Sequence, residues 1–392
     1  MSAALPESGP FDAAWHKAAC AGLSPQATEQ VERALAWARP RLHFLESSTG
    51  ESPAEHAAGL VCILANLQTD GATRAAALVA SAMGPEQDAG GGRGRTDPLA
   101  TAFGADIARL AHGYRALIRV GQATREVGDL HRTGDTPQVE KLRKMLLAMA
   151  ADLRIVLMRL ASRLQTLRWH AANKMPPERP LALETLDLYA PLANRLGVWQ
   201  IKWELEDLAF RFLEPVRYKE IAGLLEDKRA GREAFIADVI ARLQAALRAH
   251  GVVADVSGRP KHIYSIWNKM RVKGLAFADL YDVHAVRIIV QDERTCYAAL
   301  SLVHEMFTPL TQEFDDYIAR PKPNGYRSLH TVVRDGERRP FEIQIRTRDM
   351  HEFAEYGVAA HWRYKEAGAK GGQVRADSDY DRRLAWMRQL LP

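Results

Sequence analysis

Apolar positions recur every three to four residues through about the first 195 residues, the period of helices packed on a shared core. Ser52-Pro53-Ala54-Glu55 forms a capping box with proline at the first helical position, and Leu60, Val61, Ile63, Leu64 and Leu67 follow at helical spacing. Asp70-Gly71 breaks that helix, and another runs to about Met83. Residues 84–98 are rich in glycine and poor in apolar side chains, which predicts a flexible loop. Its Gly90-Gly91-Gly92-Arg93-Gly94 run follows no strand, so it does not carry a dinucleotide-loop reading. Pro137 is expected to open one long helix. Its apolar stripe runs through Leu142, Met145, Leu146, Met149, Leu153, Val156, Leu157, Leu160, Leu164 and Leu167, a core face. Residues 182–250 continue helical, punctuated by Gly197, Pro215 and Gly231. Trp199, Trp203, Leu205, Leu208, Phe210 and Phe212 supply apolar bulk there, read as packing between two domains.

From about residue 251 the pattern changes to alternating strands and helices. Strands are expected at 252–256, 283–290, 329–333 and 341–347, and helices at 261–270 and 293–307, with a long helix from 348 to about Lys365. That is an α+β domain with a mixed sheet of about five strands, following an all-α domain.

Composition narrows the picture only a little. The chain has 392 residues, room for two or three domains, with 47% hydrophobic and 26% charged residues, ordinary for a soluble globular protein. No apolar run reaches bilayer length, and Met1-Ser-Ala-Ala-Leu-Pro-Glu-Ser-Gly lacks a basic region followed by an apolar core, so neither membrane nor signal peptide is expected. Cys20, Cys62 and Cys296 give neither a disulfide framework nor a zinc pattern, which suits a reducing cytoplasm. The net charge of +5 is mild, and no Lys/Arg run forms a direct nucleic-acid motif. Cations gathered around a phosphate-rich small ligand would give the same balance.

The densest chemistry lies in Pro321-Lys322-Pro323-Asn324-Gly325-Tyr326-Arg327-Ser328-Leu329-His330. Its prolines and Asn-Gly pair exclude helix or central strand from the first half. A rigid loop of this content suits a purine nucleotide: the base stacks on Tyr326, Asn324 reads its edge, and Lys322, Arg327 or His330 meets phosphates. A polar surface turn before a strand has the same composition, and only the neighbouring motifs separate the two. In Phe341-Glu342-Ile343-Gln344-Ile345-Arg346, period-two alternation sends Ile343 and Ile345 to the core and Glu342, Gln344 and Arg346 to the opposite face. Such a face is either a solvated edge or an active-site wall, and the adjacent loop favours the wall. Asp282, just before a hydrophobic strand, is a second carboxylate. Two carboxylates on neighbouring strands suit Mg²⁺, which keeps part of its water shell and bridges phosphates.

Further motifs carry a resemblance. Gly258-Arg259-Pro260-Lys261-His262-Ile263-Tyr264-Ser265, Tyr281-Asp282-Val283-His284-Ala285-Val286-Arg287-Ile288, the 321–330 loop, the 341–347 strand and His351 through Trp362 closely resemble, in order and spacing, the synthetase domain of the RelA/SpoT homologue family. Tyr189 through Gly197 resembles the family's connector. The resemblance covers nearly the whole chain and implies a nucleotidyltransferase-like fold, as in DNA polymerase β relatives, for 251–366. It implies synthesis of the stringent-response alarmones ppGpp and pppGpp: the 3′-hydroxyl of GDP or GTP attacks the β-phosphate of ATP and AMP leaves. By the same resemblance Asp282 and Glu342 hold Mg²⁺, and Glu342 also orients or deprotonates the hydroxyl. Arg259 and Arg287 stack on adenine and Lys261 meets the ATP phosphates. Tyr326 stacks on guanine, Asn324 and Gln344 lie near the guanosine, and Lys322 and His330 near phosphates. Arg327 reads as a surface charge.

Residues 1–195 resemble the family's HD-type hydrolase domain, in which a metal held by His and Asp removes pyrophosphate from the alarmone. Here His56 stands at the first ligand position, but Ala80-Ser81 replaces the His-Asp pair, Gly84-Pro85 the next acidic pair, and Ser162 the last Asp, with Gln165 and Thr166 nearby. One His cannot hold a hydrolytic metal. His56 therefore reads as a surface or helix residue, and the domain as a degenerate pseudo-hydrolase. Glu313-Phe314-Asp315-Asp316 stands where bifunctional members carry Arg-Xaa-Lys-Asp, and this acidic form resembles the RelA-type, synthetase-only branch. The expected organisation is a pseudo-hydrolase at 1–195, connecting helices at 196–250, a synthetase at 251–366, and a linker with a C-terminal helix at 367–392. Ribosome and uncharged tRNA are expected as partners only through C-terminal domains that this chain does not carry. The rival readings are a guanine-nucleotide sensor and an alarmone hydrolase; the carboxylate pair argues against the first and the missing ligands against the second.

Overall fold

The computed structural model describes residues 9–43, 50–84, 97–128, 152–227, 229–259, 261–277, 280 and 285–357. They divide into two compact units, the first ending at Leu192 and the second running Ala193–Gly357. No helix among the described residues is long and apolar enough to cross a membrane.

The first unit is built from α1 (Ala13–Ala19), α2 (Pro25–Leu42), α3 (Pro53–Asn66), α4 (Gly71–Ser81), α5 (Pro98–Phe103), α6 (Ala105–Gly128), α7 (Leu153–Ala172), α8 (Arg179–Glu184) and a π-helical turn at Thr185–Tyr189. Ser52 caps α3 by accepting the Glu55 N–H, and Asp70 caps α4 by accepting that of Thr73, so both sequence signals hold. Leu60, Leu64, Leu78, Leu110, Leu157 and Leu160 are fully buried between these helices. The long helix expected from Pro137 does not run through Asp152. That residue is extended (φ −139°) and caps α7 with its own carboxylate, so the helix seen here starts at Leu153. Arg154 pins the cap by also reaching Asp70 at 3.0 Å and Asp106 at 2.9 Å. Leu142, Met145, Leu146 and Met149 lie outside the described residues, as does most of the 84–98 loop.

The division between the units falls within α9 (Ala190–Arg195). The second unit continues through α10 (Trp199–Leu213), α11 (Pro215–Asp227), α12 (Arg229–Ala249), β1 (Asp255–Gly258), α13 (Ile263–Lys273), β2 (Ala285–Val290), α14 (Glu293–Met306), β3 (Thr308–Asp316), β4 (Leu329–Arg334), β5 (Pro340–Thr347) and α15 (Arg348–Tyr356). Gly197 (φ +70°) and Pro215 do separate helices, but Gly231 sits inside α12, exposed to solvent. An exposed glycine costs a helix only about 1 kcal/mol, too little to stop it.

The sheet is mixed, in the order β1-β2-β5-β4-β3, with β2 and β5 parallel and every other pair antiparallel. On one face Val286, Ile288, Leu329, Val333, Phe341, Ile343 and Ile345 pack against Val239 and Leu243 of α12 and Ala299 and Val303 of α14. Four of the strands were legible as strands. The fifth, β3, was not, because this edge strand carries mostly polar side chains and lacks the alternation of a half-buried strand. The helix expected to reach Lys365 instead ends at Tyr356. Gly357 follows with φ +56°, and a Cβ there would fall 2.4 Å from backbone atoms of Leu196 and Gly197. Residues 367–392 lie outside the described residues.

Candidate active site

The face of the sheet opposite α12 and α14 carries the chemistry. Register aligns Ser257, Arg287, Gln344, His330 and Asp315 as successive partners across all five strands. Glu342 and Arg346 flank Gln344 on β5, two residues to either side, and so point the same way. A cleft over this face is lined by Arg259, Lys261, Arg287, Lys322 and Arg346, with Glu342 as its carboxylate. Such a balance attracts a polyanion.

Glu342 Oε1 receives two hydrogen-bond partners, His330 Nδ1 at 3.0 Å and Gln344 Nε2 at 3.0 Å. Burial alone would raise its pKa, but the His330 contact, the charge of Arg259 and the Gln344 amide outweigh burial and hold the carboxyl well below its usual range. The carboxylate therefore stays ionised at any working pH. His330 Nε2 lies 2.8 Å from the Tyr326 hydroxyl, so ring, imidazole and carboxylate form one chain.

Loop 321–328 is held from inside. The Lys322 carbonyl accepts from Gly325 N, and Lys322 N donates to the Tyr326 carbonyl, a turn in which Gly325 adopts φ +77°. Asn324 serves this turn: its Oδ1 accepts from Tyr326 N at 3.2 Å and its Nδ2 donates to the Asn194 carbonyl at 3.2 Å. It is not among the residues lining the cleft. The Lys322 ammonium sits 4.2 Å from the centre of the Tyr317 ring, and burial lowers its pKa against the pull of Asp315 and Glu342. Tyr317 bonds Asp315, and burial together with that bond pushes its hydroxyl up to about 12.

The acidic motif on β3 divides its work. Asp315 is the member aligned with His330, Asp316 caps the following turn by accepting from Ile318 N and Ala319 N, and Glu313 lies 3.8 Å from Lys273. Arg327, half-buried, pairs with Glu293 at 2.7 Å and is not among the residues lining the cleft.

Three lining residues were not anticipated: Trp199 and Trp203 from α10, and Ala354 from α15. The tryptophans' spacing of four residues on one helix face was visible, but an apolar stripe gives no sign of which surface it covers. Arg346 was expected on this face without a role. It is almost wholly buried, bonds His351 Nδ1 at 2.7 Å and Glu355 at 3.3 Å, and burial beside Arg287 and Arg259 pushes it down to about 10. The β2 strand begins at Ala285, the register partner of Glu342; Asp282, three positions earlier, lies outside the described residues.

In the first unit His56 is a helix residue, as one of the two expected readings had it, and lies half-buried on α3. Its Nδ1 lies 2.8 Å from Glu51 Oε2 and its Nε2 3.0 Å from Ser162 Oγ, while Gln165 donates to Glu51 Oε1 at 2.6 Å. The Gln165 side chain crosses directly over Gly59, where any Cβ would collide with it. Ser81 donates to the carbonyl of Ala77 in its own helix, and Ala80 is fully buried. Among the described residues no three His, Cys, Asp or Glu side chains are grouped to hold a metal ion.

Residues 258–369 match the region found in RelA / SpoT proteins, and residues 34–199 match an HD domain. The chain belongs to the RelA/SpoT family. The GTP pyrophosphokinase of Escherichia coli (strain K12) is 49% identical to this RelA/SpoT protein over 296 residues, 75% of this chain and 39% of the relative. That of Streptomyces antibioticus is 40% identical over 371 residues, 92% of this chain and 42% of the relative. A Synechocystis sp. protein named probable guanosine-3′,5′-bis(diphosphate) 3′-pyrophosphohydrolase is 48% identical over 255 residues, 65% of this chain and 33% of the relative. The chain thus spans about two-fifths of the length of the GTP pyrophosphokinases it matches.

Proposed function

We propose that the second unit is a (p)ppGpp synthetase of the RelA type, transferring the β,γ-diphosphate of ATP to the 3′-hydroxyl of GDP or GTP. The O3′–Pβ bond forms, the bond from Pβ to the α-phosphate oxygen breaks, and AMP leaves. What carries the assignment is the alignment of Arg287, Gln344, His330 and Asp315 across the sheet beside an ionised Glu342. Arg259, Lys261 and Arg287 take the ATP half, and Lys322, Tyr326, His330 and Gln344 the guanosine half, with Asn324 supporting the Tyr326 turn. Phosphoryl transfer depends mainly on positioning and charge neutralisation, which a cleft of five cations supplies. Glu342, ionised and beside His330, orients or deprotonates the 3′-hydroxyl as the O3′–Pβ bond forms.

Magnesium suits this donor set, because it needs only one or two carboxylates and completes its shell with water and phosphate oxygens. Glu342 and Asp282 would hold it, and it would neutralise charge on the transferred diphosphate. The acidic Glu313, Asp315 and Asp316 support the synthetase-only branch. Contacts with ribosome and uncharged tRNA belong, in this reading, to sequence beyond the stretch shared with the longer relatives.

The first unit, in the same reading, does not hydrolyse alarmone. Ser162, Gln165 and Ala80 are poor or null metal ligands, and His56 is already engaged by Glu51 and Ser162. The relative named as a hydrolase makes this a point for experiment. Label transfer tests the synthetase: γ-labelled phosphorus of ATP should appear in a guanosine tetra- or pentaphosphate. Guanine-nucleotide binding without transfer would favour a sensor.

A further inference from the structure

The ATP half of the cleft contains an aromatic support that the transfer reaction itself does not call for. The guanidinium carbon of Arg259 lies 5.2 Å from the ring centre of Trp203 on α10. His262 stacks on the same indole at 4.9 Å and 22°. His262 is fixed in turn, with Nδ1 3.2 Å from Asp207 Oδ2, while Asp207 Oδ1 accepts the Tyr264 N–H at 2.8 Å. Asp207 and Trp203 stand four residues apart on one face of α10. The main chain of Arg259 is tied from the other side, its N–H donating to the Ala285 carbonyl on β2 at 2.8 Å. Backbone and side chain are thus anchored to different elements.

The neighbouring arginines are held differently. Arg287 lies 3.4 Å from Glu355, and Arg346 bonds Glu355 and His351. A carboxylate holds a guanidinium but offsets part of its charge; here the single Glu355 is shared by two arginines. An indole face holds it and leaves the charge undiminished; tryptophan is the strongest such partner among side chains. A long side chain that is already fixed also loses less freedom when a ligand arrives.

We propose that Trp203 is a positioning residue for the nucleoside triphosphate: it holds the Arg259 guanidinium against the cleft wall, so that the adenine ring meets a cation already in place. This rests on the reading of Arg259 as an adenine platform. It gives α10 a part in substrate affinity beyond packing.

Steady-state kinetics with ATP and GDP test it on Trp203→Leu, Trp203→Phe, Arg259→Gln and the double variants. Trp203→Leu should raise KM for ATP about three- to thirtyfold, the range spanned by a single cation–π contact, with KM for GDP and kcat within twofold. Trp203→Phe should recover much of the loss. In the Arg259→Gln background neither Trp203 substitution should have a further effect. A fall in KM for ATP would mean that the indole blocks the site, and equal rises in both KM values would mean that it merely shapes the unit; either overturns the proposal. So does full additivity with Arg259→Gln. Should Trp203→Leu fail to fold, the Trp203→Phe cycle reads the same coupling at smaller amplitude. If Arg259→Gln alone leaves KM for ATP unchanged in an active enzyme, the platform assignment falls and the proposal with it. An inactive parent chain would instead overturn the synthetase reading itself.

Discussion

His330 and Glu342 are diagonal neighbours on β4 and β5, and His330 Nδ1 lies 3.0 Å from Glu342 Oε1. With Nδ1–H donated to the carboxylate, Nε2 is left to accept the Tyr326 O–H at 2.8 Å. The contact links the ring proposed for guanine to the carboxylate proposed for the metal. Neither strand's own alternation contains it; it exists only through the pairing of β4 with β5.

Glu342→Gln keeps the shape of that carboxylate and removes its charge. Turnover should fall by roughly a thousandfold or more with the fold intact, the scale seen when a group stabilising transition-state charge is lost. Circular dichroism and kcat measured on one preparation check both halves. Turnover within a few-fold of the parent would remove Glu342 from the mechanism.

Two substitutions at Tyr326 separate its ring from its hydroxyl. Tyr326→Ala should weaken GDP binding by about 1–3 kcal/mol, the worth of one stacked base, and spare ATP. Tyr326→Phe keeps the ring and loses one hydrogen bond to His330, worth about 1 kcal/mol, so kcat should drop roughly five- to tenfold with KM for GDP unchanged. Equal losses for ATP and GDP in the alanine variant would contradict the division of the cleft between two nucleotides.

His351 offers a pH-dependent stability test. Burial, then the charges of Arg346, Arg287 and Arg348, lower its pKa to about 3; Glu355, 3.6 Å away, is shared with Arg346 and Arg287 and does not compensate. Between its ordinary value and about 3, the unfolded chain binds a proton that the folded chain refuses. Stability contributed by the neutral ring is therefore present above the unfolded pKa and lost as pH falls through this window. His351→Asn keeps an acceptor for Arg346 without the titration, so its urea midpoint should fall less between about pH 7 and pH 5. Parallel curves for parent and variant would rule His351 out as the group responsible.

Much of the site was legible from the chain because its parts are local. Alternation along 341–346 sorts Glu342, Gln344 and Arg346 from Ile343 and Ile345 whatever they pack against, and the Asn324-Gly325 turn can be read in place. Partners brought together by tertiary structure were not legible. Trp203 reads as core on any helix, and only the fold sets it beside Arg259 and His262. Asp152 read as part of a continuous helix, because the apolar stripe runs on across it and only the fold brings Asp70 and Asp106 to Arg154 beside the cap. The edge strand β3 carries too few apolar positions for periodicity to find. His56 read as a lone histidine, because Glu51 and Ser162 approach it only in the folded unit.

That network makes its own prediction. His56→Ala should cost about 1–3 kcal/mol, because Glu51, almost wholly buried, loses a charged or polar partner. The same protein, parent or variant, should release no pyrophosphate from ppGpp with Mn²⁺ or Mg²⁺. Release by the parent that His56→Ala abolishes would mean that the first unit holds a metal after all.

The central claim meets its most direct measurement in the products formed from ATP, GDP and Mg²⁺. Chromatographic separation of the nucleotides over time should show AMP and ppGpp rising together in equal amounts, with both absent for Glu342→Gln. ADP or free phosphate in place of AMP, or a soluble, nucleotide-binding chain that forms no ppGpp, would contradict it.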